Sequence, residues 1–180
     1  NLDLKLVKVI DTHIHADHIS ALNELNKRTN CIRVMGEKSK SEVIDLRIKD
    51  GEKIKVEEVE LQAIYTPGHT DCSYSFLMND RVFTGDTLLI NGSGRTDFQN
   101  GNAYDAYDSI FNKLLKLPEK TLVFPAHDYN GKKFSTIENE KNNNPRLQVS
   151  SKEEYADIMN NLNLANPKMM DVAVPANVKG

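Results

Sequence analysis

The sequence predicts an α/β fold in which β-sheets are covered by helices. Short apolar or alternating segments typical of strands recur along the chain, and segments with helical periodicity are interleaved with them. The chain has 180 residues, of which 39% are hydrophobic and 27% charged, as in a soluble globular domain with a buried core. Because no repeat or low-complexity linker divides the sequence, we expect one domain over residues 1–180.

The strands are predicted from apolar alternation and from the turn residues that bound them. The first segment, "LDLKLVKVI", alternates polar and apolar residues before Asp11, and "CIRVM" is a second short strand. The segments "SEVIDLRI" and "KIKVEEVELQAIYTP" flank the turn "KDGE", which predicts a hairpin, and "SYSFLMND" and "RVFTGD" flank another turn. The last predicted strand is the apolar segment "TLVFPAH".

Four segments are predicted to be helices from their apolar spacing and their capping residues. The first is "SALNELNKRT", with Ser20 as its N-cap, and the second is "NAYDAYDSIFNKLLKL", which ends at Pro118. The segments "STIENEKNNN" and "SKEEYADIMNNLN" follow, and Ser151 and Glu154 give the last of them a capping-box pattern.

Charge and cysteine content argue against several classes of protein. The net charge of −3 argues against a general nucleic-acid binder, which is usually basic. No run approaches the roughly 18 apolar residues of a membrane span, so we expect neither a nucleic acid nor a membrane as a partner. Cys31 and Cys72 form no zinc-finger or CxxC pattern, and we interpret both as reduced thiols in the core.

The histidines follow predicted strands rather than lying within them. Three of the five are in "THIHADH" after the first strand, one is in "TPGHT" and one is in "FPAHDY"; they are His13, His15, His18, His69 and His127. On a sheet scaffold, metal and catalytic sites are typically built from loops at strand ends. The tight turn at Pro67 and Gly68 gives room around a ligand at His69, which makes this histidine a candidate metal ligand.

The spacing within the first motif indicates a metal site. Alternate residues of an extended segment point the same way, so we expect His13, His15 and Asp17 to converge, with His18 turned towards a neighbouring point. Imidazole and carboxylate groups together suit zinc, iron or manganese. Asp86 in "FTGDT" is a turn or N-cap aspartate on its own, but beside the histidines it is a candidate ligand.

The motifs "THIHADH", "TPGHT", "TGDT" and "PAHDY", in this order, resemble the metallo-β-lactamase superfamily over nearly the whole chain. The longer stretches "TGDTLLINGSGRTDFQNG", "FPAHDYNG", "NNNPRL" and "IMNNLNLANPKMMDVAVPAN" narrow the resemblance to the persulfide dioxygenases, or sulfur dioxygenases. The resemblance implies a metallo-β-lactamase-like αββα sandwich with a metal site at one edge, between the sheets. It also implies further strands ahead of His13, and since only twelve residues precede it, we expect these N-terminal strands to be missing from this chain.

The resemblance also implies the metal and the reaction. One Fe(II) per chain is held by His13, His69 and Asp86, which leaves positions open for water or substrates. Four further residues are implied to orient these ligands and tune their basicity: His15, Asp17, His18 and His127. The implied reaction takes glutathione persulfide, O2 and water to glutathione and sulfite, which makes the protein an oxidoreductase of sulfide oxidation.

Because glutathione persulfide is anionic, its pocket requires a cation. Arg95, in a glycine-flanked loop shortly after Asp86, is the first candidate for substrate binding and catalysis. Arg146 in "NPRL" is a second candidate, with bracing of the C-terminal helices as its alternative role. Tyr129 in "HDYNG" is a candidate to direct its hydroxyl at the metal-bound ligand, and its alternative role is that of a packing tyrosine.

The spacing of the ligand-type residues also allows two metals. His13, His15 and His69 would hold one ion, Asp17, His18 and His127 would hold the other, and Asp86 would lie between them. This set suits a dinuclear hydrolase of glutathione thioesters such as glyoxalase II. The "GSGRTDFQ" stretch, and the 53 residues that follow His127, favour the dioxygenase. A saturated four-ligand site would instead indicate a non-catalytic metal-binding domain.

The family resemblance also suggests a location in the cell. It predicts the mitochondrial matrix if the source is eukaryotic and the cytoplasm if it is bacterial, with any targeting region outside this chain. The predicted partners are glutathione persulfide and O2, and a second copy of the chain, as a homodimer, is retained as a candidate.

Overall fold

The computed structural model describes residues 4–180, and its strands form two β-sheets flanked by helices. The strands are β1 (Lys8–Ile10), β2 (Ile32–Gly36), β3 (Leu46–Ile48), β4 (Lys53–Val56), β5 (Val59–Tyr65), β6 (Tyr74–Leu77), β7 (Arg81–Gly85), β8 (Leu122–Pro125) and β9 (Ser135–Thr136). The helices are α1 (Leu22–Thr29), α2 (Ala103–Tyr107), α3 (Ile137–Asn143), α4 (Lys152–Asn160) and α5 (Met170–Lys179). Residues 1–3, which include the start of the first predicted strand, lie outside the described residues.

The first sheet contains three parallel strands in the order β1-β2-β3. Helix α1 connects β1 to β2, as a crossover between parallel strands requires. Arg33 in β2 and Asp45, just before β3, form a two-pronged ion pair with Nη2–Oδ1 and Nε–Oδ2 distances of 2.8 and 3.0 Å. This pair ties β2 to the segment that leads into β3.

The predicted hairpin across "KDGE" is wrong. Strand β3 pairs in parallel with β2 in the first sheet, whereas β4 pairs with β5 in the second, around a turn at Glu57 and Glu58. A turn signal shows that the chain changes direction, but it does not show which partner each flanking strand takes. Here the turn after Ile48 carries the chain from one sheet to the other.

The second sheet has six strands in the order β4-β5-β6-β7-β8-β9, and only β7 and β8 run parallel to each other. The predicted hairpin of β6 and β7 is confirmed. Because β5 and β7 are both antiparallel to β6, and β7 is parallel to β8, the carboxyl ends of β5, β7 and β8 lie at one edge. These are the strands that His69, Asp86 and His127 follow.

The predicted helices form at the expected places, with changes at their ends. Helix α1 has Ala21 rather than Ser20 at its N-cap, although the Ser20 hydroxyl accepts a hydrogen bond from Leu22 N at 3.2 Å. Ser151 caps α4 as predicted, by accepting from Glu154 N at 3.1 Å. The segment after Asn102 begins as α2, and then continues as a π-helical turn over Asp108–Lys113 and a 3₁₀ turn over Leu114–Lys116.

Helix α5 was not predicted, because Pro175 lies inside it and proline is unfavourable in a helix interior. Tertiary packing outweighs this propensity, since Ala173 is fully buried and Val174 and Val178 pack against the core. Within residues 4–180, no helix combines the length and the apolar character that crossing a membrane requires.

Three groups of buried apolar side chains join the layers. The largest joins the second sheet to the helices and includes Val82, Val123, Ile110, Leu114 and Tyr155. A second joins the two sheets and consists of Val34, Ile48, Ile54, Ala63, Tyr74 and Phe76. The third lies beneath the histidine loop and consists of Ile14, Leu22, Met35 and Cys72. Both cysteines are buried free thiols, as predicted. Full burial of a large apolar side chain contributes about 1.5–3 kcal/mol, so Ile14 anchors the loop that carries the histidines.

Candidate metal centre

Four loops converge at the edge where β5, β7 and β8 end. The loop after β1 reaches this edge because Thr12 O accepts a hydrogen bond from Tyr74 N, at the start of β6, at 2.9 Å. This contact brings His13 from the first sheet to His69 and Asp86 of the second. The predicted placement of all the histidines in loops at strand ends is confirmed.

His13, His69 and Asp86 lie together at the base of this edge. Asp86 Oδ2 is 3.8 Å from His13 Nε2 and 3.5 Å from His69 Nε2. One ligand-type atom from each of the three side chains lies within 4.8 Å of the other two. All three side chains are largely buried, with 2%, 14% and 11% of their surfaces exposed. This is the set that the sequence resemblance implies for a metal.

Hydrogen bonds from the far side of each imidazole ring fix how the two histidines are turned. His69 Nδ1 lies 2.8 Å from the backbone oxygen of Arg95, and since a carbonyl can only accept, His69 donates there. In a neutral ring that donates from Nδ1, Nε2 carries the lone pair, and in His69 this atom faces Asp86. His13 Nδ1 pairs with the Thr12 hydroxyl at 2.9 Å, which likewise directs Nε2 at Asp86.

Electrostatics at the three side chains suit a cation. Burial holds the pKa of His13 well below its usual range, and the neighbouring His15 and His69 lower it further, so the ring is neutral near pH 7. Asp86 Oδ1 is buried and has no hydrogen-bond partner among residues 4–180. A buried carboxylate oxygen without a partner is costly, and a bound metal ion would satisfy it. Two imidazole nitrogens and one carboxylate are a donor set that fits Fe(II), Zn²⁺ or Mn²⁺.

The predicted convergence of His13, His15 and Asp17 is confirmed only in pairs. The His13 and His15 rings lie 4.2 Å apart between centroids, and a ligand-type atom of His15 lies within 4.8 Å of one of Asp17, but within residues 4–180 no such group contains all three side chains. The His15 ring turns back towards Asp11, with Nε2 at 3.8 Å from Oδ1, and its Nδ1 is buried without a partner in the described chain. Asp17 lies beside His18, with Oδ1 3.0 Å from His18 Nδ1. The loop bends rather than running fully extended, so the two-residue alternation of a strand does not apply to it.

His127 lies between the two groups of side chains. Its Nε2 is 3.3 Å from Asp17 Oδ2 and 3.6 Å from Asp86 Oδ2. Asp86 Oδ2 is therefore near three histidines, His13, His69 and His127. A second set of ligand-type atoms, from His15, Asp17 and His18, also lies within 4.8 Å of one another, but Asp17 and His18 are exposed.

A cavity of about 530 Å³ opens onto part of this group, namely Asp17, His69, Asp86 and His127. His69, Asp86 and His127 line its base, and both arginines that the sequence suggests for substrate binding line its walls. Tyr129 lies at its mouth, 86% exposed, with its ring parallel to that of His127 at 6.1 Å between centroids. The cavity is large enough for a small thiol substrate.

The guanidinium of Arg95 lines this cavity but is engaged with protein groups. It forms a two-pronged ion pair with Asp97, with Nε–Oδ1 and Nη2–Oδ2 distances of 2.6 and 2.7 Å. It donates to Leu164 O and Ala165 O at 3.3 and 2.7 Å, and it lies over the Phe98 ring. These contacts hold the segment around Ala165 against the cavity.

Arg146 presents a different environment. It donates to the backbone oxygen of Ser93, and it forms no ion pair with a carboxylate in the described part of the chain. Burial lowers the pKa of Arg146, because the charged guanidinium is partly removed from water. A half-buried cation without a carboxylate partner in the described part of the chain, at the cavity wall, is the chemistry that binds an anionic ligand.

Gly94 contributes to the site and was not singled out from the sequence. A Cβ at Gly94 would lie 2.0 Å from Asp86 O and 2.9 Å from His69 Nδ1, so no side chain fits between them. Gly94 N also donates to Asp86 O at 2.8 Å. The glycines of "NGSGRT" could have indicated this close contact from the sequence, since glycine is required where the backbone approaches its neighbours this closely.

Comparison with known proteins places the chain among metal-dependent enzymes. The metallo-beta-lactamase superfamily model matches residues 35–127. The chain is 44% identical to the mitochondrial persulfide dioxygenase ETHE1 of Homo sapiens, over 99% of this chain and 70% of that protein. It is 32% identical to a hydroxyacylglutathione hydrolase of Dictyostelium discoideum, over 78% of this chain and 56% of that protein. The crystal structure of ETHE1 from Myxococcus xanthus matches with a TM-score of 0.95 at 49% identity, over 98% of this chain and 78% of that one.

Proposed function

Because the chain belongs to the persulfide dioxygenase family of the metallo-β-lactamase superfamily, we propose that it is an Fe(II)-dependent oxidoreductase that oxidises glutathione persulfide with O2. The family and the sandwich fold expected from the sequence motifs are confirmed. One observation supports the metal site above all others: two oriented imidazoles flank a carboxylate whose second oxygen is buried without a partner among residues 4–180.

The proposed metal ligands are His13, His69 and Asp86, and the proposed ion is one Fe(II) per chain. The family implies a metal, and the donor set fits iron. Fe(II) held by His13, His69 and Asp86 would supply open coordination positions for O2 and for a sulfur ligand. Thr12 and the Arg95 carbonyl hold the imidazoles so that both Nε2 atoms face the same point.

The net reaction takes glutathione persulfide, O2 and water to glutathione and sulfite. The sulfur–sulfur bond breaks, the inner sulfur leaves as the glutathione thiol, and the outer sulfur gains three oxygens. Four electrons pass to O2, so no additional reductant or oxidant is needed. The protein's part is to hold the two substrates in one orientation and to balance the charge of the anion.

The substrate-binding residues are assigned from the cavity wall. Arg146 binds a negatively charged group of glutathione persulfide, since its guanidinium has no carboxylate partner within residues 4–180. Arg95 acts mainly by holding the segment around Ala165 against the cavity and by orienting His69 through its carbonyl. Tyr129, stacked on His127 at the mouth, directs its hydroxyl at the bound substrate.

A dinuclear hydrolase of glutathione thioesters is the second candidate. It is supported by the ligand-type atoms of His15, Asp17 and His18, and by Asp86 Oδ2, which lies near three histidines as a bridging carboxylate would. Against it, the two outer residues Asp17 and His18 are exposed, and the match to the hydrolase is weaker and shorter than that to the dioxygenase.

Metal analysis and two activity assays on a single preparation of the protein distinguish the two candidate functions. Protein purified without oxygen is analysed for bound metals, and is then assayed with glutathione persulfide for sulfite and with a glutathione thioester for hydrolysis. We expect one iron per chain, sulfite formation and negligible hydrolysis of the thioester. Two zinc ions per chain with thioester hydrolysis and no sulfite would contradict the proposal.

The cellular location follows the relatives in part. The relatives of Mus musculus and Homo sapiens are named as mitochondrial proteins. We propose the mitochondrial matrix for a eukaryotic source and the cytoplasm for a bacterial one. Cell fractionation with an antibody against the chain tests this assignment.

A further inference from the structure

Asn177, in helix α5, is bonded to the histidine loop through every group of its side-chain amide. Its Oδ1 accepts from Ser20 N at 2.8 Å, and its Nδ2 donates to His15 O and His18 O, both at 2.9 Å. These bonds join parts of the sequence 157 to 162 residues apart. Neither the local sequence pattern nor the proposed chemistry accounts for this residue.

The loop depends on such outside partners because residues 11–19 form neither helix nor strand. Backbone oxygens that have no partner within a regular element must find one elsewhere or remain in water. Two carboxamides supply partners at adjacent peptide units: Gln99 Nε2 donates to Ile14 O at 2.7 Å, and Asn177 Nδ2 donates to His15 O. The loop is therefore held from two sides just after His13.

Helix α5 is itself anchored firmly enough to transmit this restraint. Val174 and Val178 pack against the cluster that contains Ile14, and Glu42 N donates to Val178 O at 2.7 Å. Asn177 lies between these two valines in the sequence, so its amide is held in place by packing rather than only by its own hydrogen bonds.

Only a carboxamide satisfies this position. Two backbone oxygens require donors and one backbone N–H requires an acceptor, and Asn and Gln are the side chains that carry both on one planar group. An aspartate at position 177 would keep the acceptor for Ser20 N but would place an anion against the oxygens of His15 and His18. The carboxylate of Asp11, which accepts from the Ser20 hydroxyl, lines the same cavity as Asn177 and would add a second anion there.

We propose that Asn177 is a positioning residue of the metal centre, which holds the backbone from His15 to Ser20 so that His13 meets His69 and Asp86. This inference rests on the proposed metal site. Asn177 touches neither metal nor substrate in this arrangement. Its loss should therefore weaken metal binding through the loop, as the loss of residues that orient metal ligands does, by about 10- to 100-fold.

The test compares Asn177→Asp and Asn177→Ala with two controls. Leu115→Ala weakens the apolar packing between the second sheet and its helices, in a cluster that contains no residue of the histidine loop. Asn160→Ala removes an exposed asparagine at the end of α4 whose side chain makes no hydrogen bond to the described residues. For each metal-free protein, the melting temperature, the dissociation constant for Fe(II) and the visible spectrum with Co(II) are measured.

We expect both Asn177 variants to bind Fe(II) at least 10-fold more weakly and to show an altered Co(II) spectrum, whereas Leu115→Ala loses melting temperature but keeps its affinity within about 2-fold. If Asn177→Ala does not fold, the nearly isosteric Asn177→Asp carries the comparison. Unchanged affinity and spectrum in a folded Asn177 variant would overturn the inference, and so would an equal loss in Leu115→Ala. Failure of the unchanged protein to bind Fe(II) would instead overturn the proposed metal site.

Discussion

At the scale of single residues, the site depends on how the imidazole rings of His13 and His69 are turned. Each ring is held at Nδ1, by Thr12 and by the Arg95 carbonyl, so that Nε2 faces Asp86. His127 differs, because its Nδ1 makes no hydrogen bond within residues 4–180. Its Nε2 lies between two carboxylates, 3.3 Å from Asp17 Oδ2 and 3.6 Å from Asp86 Oδ2. This difference separates the proposed ligands from the residue that supports them.

Metal content of two alanine variants tests this distinction. We expect His69→Ala to lose most of its iron, because one of three ligands is gone. We expect His127→Ala to keep much of its iron, because the three ligands remain and only a neighbour of the Asp86 carboxylate is removed. Iron per chain after anaerobic purification is the measurement, and equal losses in the two variants would make His127 a direct ligand.

Arg146 is the residue for which substrate binding is most directly testable. Replacing it with glutamine removes a charge-assisted contact worth about 1.5–3 kcal/mol, so we expect KM for glutathione persulfide to rise about 10-fold or more with a smaller change in kcat. Arg81→Gln is the matched control, since Arg81 begins β7 at the end opposite to the site and pairs with Asp80. An unchanged KM in Arg146→Gln would remove it from the substrate site.

At the scale of secondary-structure elements, periodicity predicted most strands and helices but not all their partners. The alternation in "SYSFLMND" and "RVFTGD" was sufficient to predict that β6 pairs with β7, because a two-strand hairpin is a local structure. Strand β3 was assigned to the wrong partner. It pairs in parallel with β2, and because a connecting segment separates the two strands in the sequence, local alternation does not reveal this pairing. Helix α5 was missed, because Pro175 lowers its propensity and only tertiary packing stabilises it.

The ion pair between Arg33 and Asp45 predicts a pH dependence for the first sheet. The hydrogen bonds from Arg33 lower the pKa of Asp45 from 3.8 to about 2 in the folded protein. Since the folded-state pKa is depressed, the pair contributes stability above pH 3.8, and that contribution is lost as the pH falls towards 2. The effect on stability is modest, because Asp45 is exposed and water screens the pair.

Thermal melting of Asp45→Asn checks this dependence. We expect a lower melting temperature than in the unchanged protein at pH 6, and a difference that narrows as the pH is lowered below 4. Asp157→Asn, at an exposed aspartate of α4 without a side-chain partner among the described residues, is the control. A difference for Asp45→Asn that stays constant over this pH range would contradict the role of the ion pair.

At the scale of the whole molecule, the site exists because distant parts of the chain meet at one sheet edge. The sequence motifs predicted the proposed ligands His13, His69 and Asp86 through family resemblance, and the structure brings these three side chains together. The contacts that support them were not predictable, since Asn177 with His15 and Arg95 with Ala165 are separated by 162 and 70 residues. Local periodicity relates residues only a few positions apart, so it does not reveal such pairs.

The central proposal, that the chain is an iron-dependent persulfide dioxygenase, is tested most directly by O2 uptake. Protein loaded with one Fe(II) per chain is mixed with glutathione persulfide in an oxygen electrode, and the sulfite formed is measured in the same sample. We expect one O2 consumed for each sulfite released, and loss of both signals in His69→Ala. No O2 uptake by the iron-loaded protein would contradict the proposal.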